Sequence, residues 1–316
     1  MATKPKRGNG EKWGKPRTDV RDWPTYNEQL VVRGEFLLDL EWVDYWDKEL
    51  AVMNRGKRGR PFEFPHSLIE QQAVWNQWVG LRGVEGITRM LVEFAQLPEF
   101  NDYSTIHRRI PKINTTIKLP KEGFCSVSTD GTGMKMHHAG EHRQVKYGTK
   151  SRRWIKVTIS ANPLTKDLLA VEVSLDGEGK SEPDIAREHM GMLQENGKEI
   201  LKFWGDGAFD KIEFFNWLEE HEIESAIPPR DNASTNANGS MRRLREVFEY
   251  QTKTWDDWAR DKQYGKRWLG TEVLISAVKG IFGEDTRAKN ASSACLEAKR
   301  KFWAYSRMRQ YAITNI

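Results

Sequence analysis

The chain has 316 residues, 38% hydrophobic and 30% charged, with a formal net charge of +5. That is enough for one large domain or two ordinary ones with a sizeable core, and it excludes a disordered chain. No apolar run approaches the length of a membrane span, the basic N-terminus lacks the apolar stretch of a secretory signal, and two cysteines, Cys125 and Cys295, are too few for a disulfide framework or a cysteine-based zinc site.

Residues 1–21 carry seven Lys/Arg against two acids and read as a flexible basic arm. From Asp22 to Met53 the pattern turns helical, with Leu30, Leu37, Leu38, Leu40, Trp42, Val43 and Trp46 at near-helical spacing. A basic loop broken by Gly and Pro follows at 54–65. Three short helices are then expected, at 66–81, 82–97 and 102–113, the third capped by Asp102 or Ser104 and broken by Pro111. Helix, tight turn, helix, then a short basic helix resembles a helix-turn-helix unit, with Arg108 and Arg109 on the recognition helix. Residues 22–120 are accordingly expected to form an all-α, DNA-binding N-terminal domain.

After Pro120 the period changes. Strands are expected at 123–131, 152–163 and 167–177, a Pro183-started helix to Gly197, a fourth strand at 200–210, an amphipathic helix at 211–223 and a fifth strand ending in "IPPR". Residues 231–262 read as polar loop and a Trp-rich stretch, and "GTEVLISAVKGIFGE" as a clear helix. Three hairpin-like strands, then helix, strand, helix, strand, helix, is the order of an α/β ribonuclease H-like fold, a mixed sheet with flanking helices spanning 121–290. Residues 291–316 would be a basic C-terminal helical tail. Two more basic clusters, with six Lys/Arg against one acid at 141–156 and seven against one at 286–309, point with the arm to a polyanionic partner.

Asp130 closes the first expected strand and Asp206 the fourth, and in this fold those strands are neighbours. Two carboxylates at one level repel unless a cation sits between them, and hard oxygen ligands call for Mg²⁺ or Mn²⁺. Glu272 is the best third ligand. Asp210 rivals Asp206 from four residues on, and Glu284, at the far end of the helix, rivals Glu272. The "HHAGEHR" stretch at 137–143 looks metal-like, but His137 and His138 point opposite ways on a strand and no second pair matches them.

Taken together, "WPTYNEQLVVRG", "DYSTIHRRI", "STDGTG", "WGDGAFD", "IPPRDNA" and "YGKRW…E…K" resemble the insertion-sequence DDE transposases, in particular the insertion sequence five group of bacteria and archaea. The resemblance runs from about residue 22 to about 290. It implies a ribonuclease H-like fold, a catalytic and metal-binding triad of Asp130, Asp206 and Glu272, and Mg²⁺ as cofactor, for which Mn²⁺ substitutes. The group's Tyr-Arg-Glu-Lys signature maps onto Tyr264, Arg267, Glu272 and Lys279, with Tyr264, Arg267 and Lys279 implied as DNA contacts, but four residues separate Arg267 from Glu272 where the group has three. In an unbroken helix the extra residue turns Tyr264 and Arg267 about 100° away from Glu272 and Lys279. A local irregularity at 269–271 is therefore expected, either a π-bulge or a break at Gly270 with Thr271 capping a fresh start.

The implied activity is cleavage of phosphodiester bonds at element ends by metal-activated water, followed by joining of the 3′-OH to target DNA. The implied partners are terminal inverted repeats and target DNA, with a homodimer in the synaptic complex and a cytoplasmic, nucleoid-associated location. Arg230 is expected at the rim of the site. The alternatives are a structure-specific nuclease of the same fold and a domesticated DNA-binding protein.

Overall fold

The computed structural model describes residues 22–136, 154–235 and 239–316. The basic arm at 1–21, the "HHAGEHR" stretch and most of the 141–156 cluster lie outside the described residues.

Helix α1 (Trp23–Glu35) starts at Asp22, whose carboxylate accepts from the Thr25 hydroxyl at 2.6 Å, with Pro24 in the first turn. The helical stretch expected to continue to Met53 breaks. Two 3₁₀ turns, Phe36–Leu38 and Glu41–Tyr45, separate α1 from α2 (Trp46–Asn54). The break lets Phe36 and Trp46 bury in different clusters. It is held from α3 (His66–Trp75), where Gln71 and the Trp75 indole donate to Leu37 O at 3.0 and 2.9 Å. Next come α4 (Leu81–Glu93) and α5 (Tyr103–Arg109), in the expected order. Asp102 caps α5, accepting from Thr105 N at 2.6 Å, and Glu85 on α4 accepts from Tyr103 N at 2.9 Å, which pins α4 to α5.

The sheet has the strand order β3-β2-β1-β4-β5, from β1 (Phe124–Met136), β2 (Trp154–Ala161), β3 (Leu168–Leu175), β4 (Glu199–Trp204) and β5 (Glu224–Ala226). The first three strands are antiparallel, and β4 and β5 run parallel to β1 and to one another. This is the ribonuclease H-like arrangement, read here from the strand order itself. A short β6 (Asp285–Thr286), not expected from the sequence, pairs with the far end of β1. One face is covered by α6 (Glu182–Glu195) and α7 (Ile212–Glu220), which pack on Cys125, Val127, Ile200 and Phe203. The stretch at 231–262 folds as α8 (Met241–Thr252) and α9 (Trp255–Asp261), and α10 (Val273–Phe282) and α11 (Ala291–Thr314) complete the chain.

Strand β1 does not end at Asp130, as the Asp-Gly pair suggested; it runs six residues further, with Asp130 opposite Ile159. The glycines that read as a turn make room instead. A Cβ on Gly131 would sit 2.5 Å from the Glu182 carboxylate, and one on Gly133 would sit 3.2 Å from the Trp154 ring.

The other face of the sheet is covered by α10, α11 and the N-terminal helices in one apolar cluster. Met134, Ile155 and Ile159 share it with Ile69, Val74 and Ile106 from the N-terminal part and with Phe302, Ala304 and Met308 from α11. The segment expected as a basic tail is therefore a core helix. Of the cations at 286–309, Arg307 pairs with Glu70, Arg309 with Asp167 at 3.3 Å and Arg287 with Glu297 at 3.6 Å. Lys301 is buried and donates to the carbonyls of Phe282, Gly283 and Asp285 at 2.9, 3.0 and 2.5 Å, satisfying the C-terminal end of α10. Residues 291–316 and 22–120 are thus not separate bodies around the sheet but parts of one core.

Behind Asp130, on the α6 face, a buried polar chain runs from Thr129 Oγ1 to Ser160 Oγ at 2.8 Å and on to His189 Nδ1 at 2.8 Å. Burial holds the His189 imidazole neutral, lowering its pKa to about 4. The unfolded chain therefore binds the extra proton first. Stability from this residue is complete above the unfolded value near 6.5 and is lost as pH falls toward 4. His189→Gln is expected to flatten the fall of unfolding free energy over that range by up to about 3 kcal/mol, measured by urea denaturation at a series of pH values. An unchanged slope would remove this residue from the acid response.

Candidate active site

The register of β1 and β4 sets the first two carboxylates. Ser128 pairs with Trp204, and Asp130 and Asp206 each lie two residues beyond that pair, Asp130 within β1 and Asp206 just past the end of β4. Beyond Trp204 the β4 chain leaves the sheet, and Asp206 caps the single turn Gly207–Phe209, with its Oδ1 accepting from Ala208 N at 2.8 Å. Asp130 Oδ1 accepts from its own neighbour, Gly131 N, at 2.9 Å. Burial pushes the Asp130 carboxyl above the usual range. Arg267 and the Gly131 N–H hold it back, and the charges of Asp206 and Glu272 push it further up.

The rival Asp210 has a different task. It is fully buried, takes Nε and a terminal nitrogen of Arg243 at 2.5 and 2.9 Å, and accepts from Arg230 N at 2.9 Å. Paired with Arg243 and held by three hydrogen bonds, it is a structural anchor for the turn that carries Asp206.

Glu272 reaches the site through the expected irregularity. Trp268–Glu272 is a π-helical turn that runs into α10 without a break, and Glu272 itself has helical dihedrals, so the π-bulge absorbs the extra residue rather than a fresh start at Thr271. Thr271 donates its hydroxyl back to Arg267 O at 3.4 Å. The turn lies close against the sheet: a Cβ on Gly270 would meet the Pro163 backbone at 3.1 Å and Ser128 Cβ at 3.3 Å. The bulge keeps Arg267 facing inward. Its two terminal nitrogens stand 3.3 Å from Asp130 Oδ2 and 3.5 Å from Glu272 Oε1.

Asp130, Glu272, Lys279 and Glu284 line one cleft of about 550 Å³, floored by Gly131, Ile275 and Gly280. Glu284 joins Glu272 there rather than replacing it, because Gly283, at φ +78°, turns the chain back after α10. Lys279 makes no ion pair among the described residues. Arg230 stands beside the turn that follows Asp206, its guanidinium on the carbonyls of Gly207 and Ala208 at 3.1 and 3.5 Å.

Two expected DNA contacts are otherwise employed. Tyr264 is buried among Trp204, Trp258 and Trp255, donates to Gly205 O at 3.3 Å, and has its hydroxyl pushed up to about 12 by burial. It ties the Asp206 segment to the chain leading into α10 instead of facing solvent. Arg109 donates to Phe64 O and lies over the Phe62 ring, 5.2 Å from its centroid, with its pKa lowered by burial. It fastens α5 to the 60–64 loop, while Arg108 stays exposed. Sequence reasoning also missed the Asp210–Arg243 pair, for which no local pattern existed.

Among the described residues no three His, Cys, Asp or Glu side chains stand close enough together to hold an ion. The charge, however, calls for one. Asp130, Glu272 and Glu284 line the cleft with Lys279, and Asp206 and Arg267, outside that lining, act on Asp130 by their charges, so the group carries a formal −2 among hard oxygen donors. A divalent cation fits that deficit and that chemistry.

A ribonuclease H-like sheet with one carboxylate within β1 and a second just past the end of the neighbouring β4 defines a class of metal-dependent nucleic-acid strand-transfer enzymes. Residues 123–306 match the family model described as "Transposase DDE domain", and residues 31–139 match a second model of the same description, so the chain belongs to the DDE transposase family and is a DNA transposase. Members of that family work with divalent metal ions. Among solved structures, the chain is similar to the Drosophila P element transposase strand transfer complex at 10% identity, over 84% of this chain and 71% of that one, with a TM-score of 0.32. It is also similar to the Mos1 strand transfer complex at 9% identity, over 82% and 80%, with a TM-score of 0.24. The fold assignment rests on the strand order and the family match. No curated protein sequence matches the chain. Among the described residues no helix is long and apolar enough to cross a membrane.

Proposed function

We propose that Asp130, Asp206 and Glu272 are the catalytic carboxylates of this transposase, that they hold Mg²⁺, with Mn²⁺ able to substitute, and that the protein cuts the ends of its element and joins them to target DNA. The observation that supports this most is the Ser128–Trp204 pairing of β1 with β4, two residues before each aspartate, together with the contacts of Arg267 to Asp130 and Glu272. Bound there, divalent ions would lower the pKa of an attacking water and steady the leaving 3′ oxygen. Lys279 and Arg267 would neutralise the phosphates beside the scissile one, and Arg230 would hold the strand at the rim. Tyr264 acts through Gly205, fixing the backbone just before Asp206. Exposed Arg108 on α5 would contribute to reading the terminal inverted repeats, and two copies would pair the two ends in a synaptic complex.

The test is a joining assay. Purified full-length protein is mixed with a duplex ending in the element's own terminal repeat, a supercoiled target plasmid and Mg²⁺. Plasmid with the duplex covalently attached is expected, and none with EDTA. Cleaved duplex without joined product would make the protein a nuclease of this fold.

A further inference from the structure

Arg267 occupies an unusual position for a DNA contact. Its guanidinium lies between Asp130 and Glu272 and is largely buried, yet both contacts, at 3.3 and 3.5 Å, exceed the 2.7–2.9 Å of a well-formed charge-assisted bond. Its Nε is buried with no hydrogen-bond partner. The group is thus enclosed by the site but poorly satisfied in it. It also conflicts with the proposed cofactor. Mg²⁺ needs carboxylate oxygens within about 2.1 Å of a single point, whereas a guanidinium interposed between two carboxylates keeps their oxygens apart. Consistent with that, no three acidic or metal-ligating side chains converge among the described residues. One cation therefore has to leave for the other to enter, and a guanidinium leaving this place needs a new anion. A backbone phosphate is what Arg binds best, in a two-pronged geometry that would also engage the idle nitrogen.

We propose that Arg267 is a resident counter-cation of the carboxylate cluster, exchanged for a divalent metal ion when a DNA phosphate draws it away, so that DNA and metal bind cooperatively. The proposal rests on the carboxylate assignment above. Without DNA, Arg267 offsets the repulsion between Asp130 and Glu272 and suppresses metal binding. With DNA, the phosphate takes over Arg267 and both carboxylates are released toward the ion. By linkage the coupling is reciprocal: whatever factor DNA adds to metal affinity, metal adds to DNA affinity.

The test reads metal binding, not turnover. Mn²⁺ is titrated into full-length protein and the free ion is followed by its electron paramagnetic resonance signal, with and without a random-sequence duplex whose own Mn²⁺ uptake is measured separately. For the wild type, DNA is expected to raise Mn²⁺ affinity about tenfold or more. Arg267→Gln should bind Mn²⁺ about tenfold tighter than wild type without DNA, and gain little when DNA is added. Equal wild-type affinities in the two conditions, or an Arg267→Gln protein no tighter than wild type, would overturn the exchange. The two wild-type titrations decide the matter alone if the variant does not fold. Asp130→Asn should lose the site under every condition; Mn²⁺ binding unchanged in that variant would overturn the carboxylate assignment itself, whatever Arg267 does.

Discussion

Asp130→Asn and Asp206→Asn are each expected to bind the element's ends as the wild type does and to cleave them on the order of 10³-fold more slowly, or not at all. Asn keeps the size of Asp and can still accept the Gly131 or Ala208 N–H that orients each side chain. What it removes is one negative charge from a cluster whose purpose, on the present reading, is to hold a cation. Arg108 lies exposed on α5 and bonds to the Ser104 carbonyl and the Thr105 hydroxyl of its own helix, so neither change removes a contact of the reading surface. A gel shift and a cleavage assay on one preparation separate the two properties. Glu284→Gln provides the contrast: its side chain is exposed at the far end of the cleft and should cost less than about tenfold. Cleavage by Asp130→Asn within tenfold of wild type would end the assignment.

The second large effect is on stability. Arg243→Met should destabilise the fold by about 3–5 kcal/mol, because it leaves the fully buried Asp210 carboxylate without its cation. Only the Arg230 N–H would remain on that carboxylate. The double variant Asp210→Asn with Arg243→Met should be more stable than Arg243→Met alone, since the cost lies in the unpaired charge rather than in the lost attraction. Denaturant melts of the three proteins test this. A loss under 1 kcal/mol for Arg243→Met would mean that water reaches Asp210 and that the turn bearing Asp206 is looser than its contacts imply.

The strand and helix order was legible because hydrophobic period and breaker residues report local structure directly. So was the irregularity before Glu272, since a one-residue change of spacing on a helix face has a computable angular effect. The failures share a cause: they depend on partners distant in the chain. Asp130-Gly131 looks like a turn unless Glu182, some fifty residues on, is known to occupy the space over the glycine. The cations of α11 look like a phosphate-binding stripe until Glu70 and Asp167 are placed beside them. Arg109 looks like its neighbour Arg108 until Phe62 and Phe64 close over it. Charge counting along a sequence cannot distinguish a cation facing solvent from one already spent inside the fold.

Helix α11 closes a core that also contains α3, α5 and the middle of the sheet. During synthesis the N-terminal helices emerge first, yet the surface they share with Phe302, Ala304 and Met308 has nothing to cover it until those residues leave the ribosome. At about 5–20 residues per second the wait between residue 110 and residue 308 is roughly ten to forty seconds. Over that interval the nascent chain exposes apolar surface and has no finished site, because the carbonyls ending α10 still lack Lys301. A ribosome that stops short of α11 would therefore release a polypeptide whose uncovered apolar surface makes it prone to aggregation.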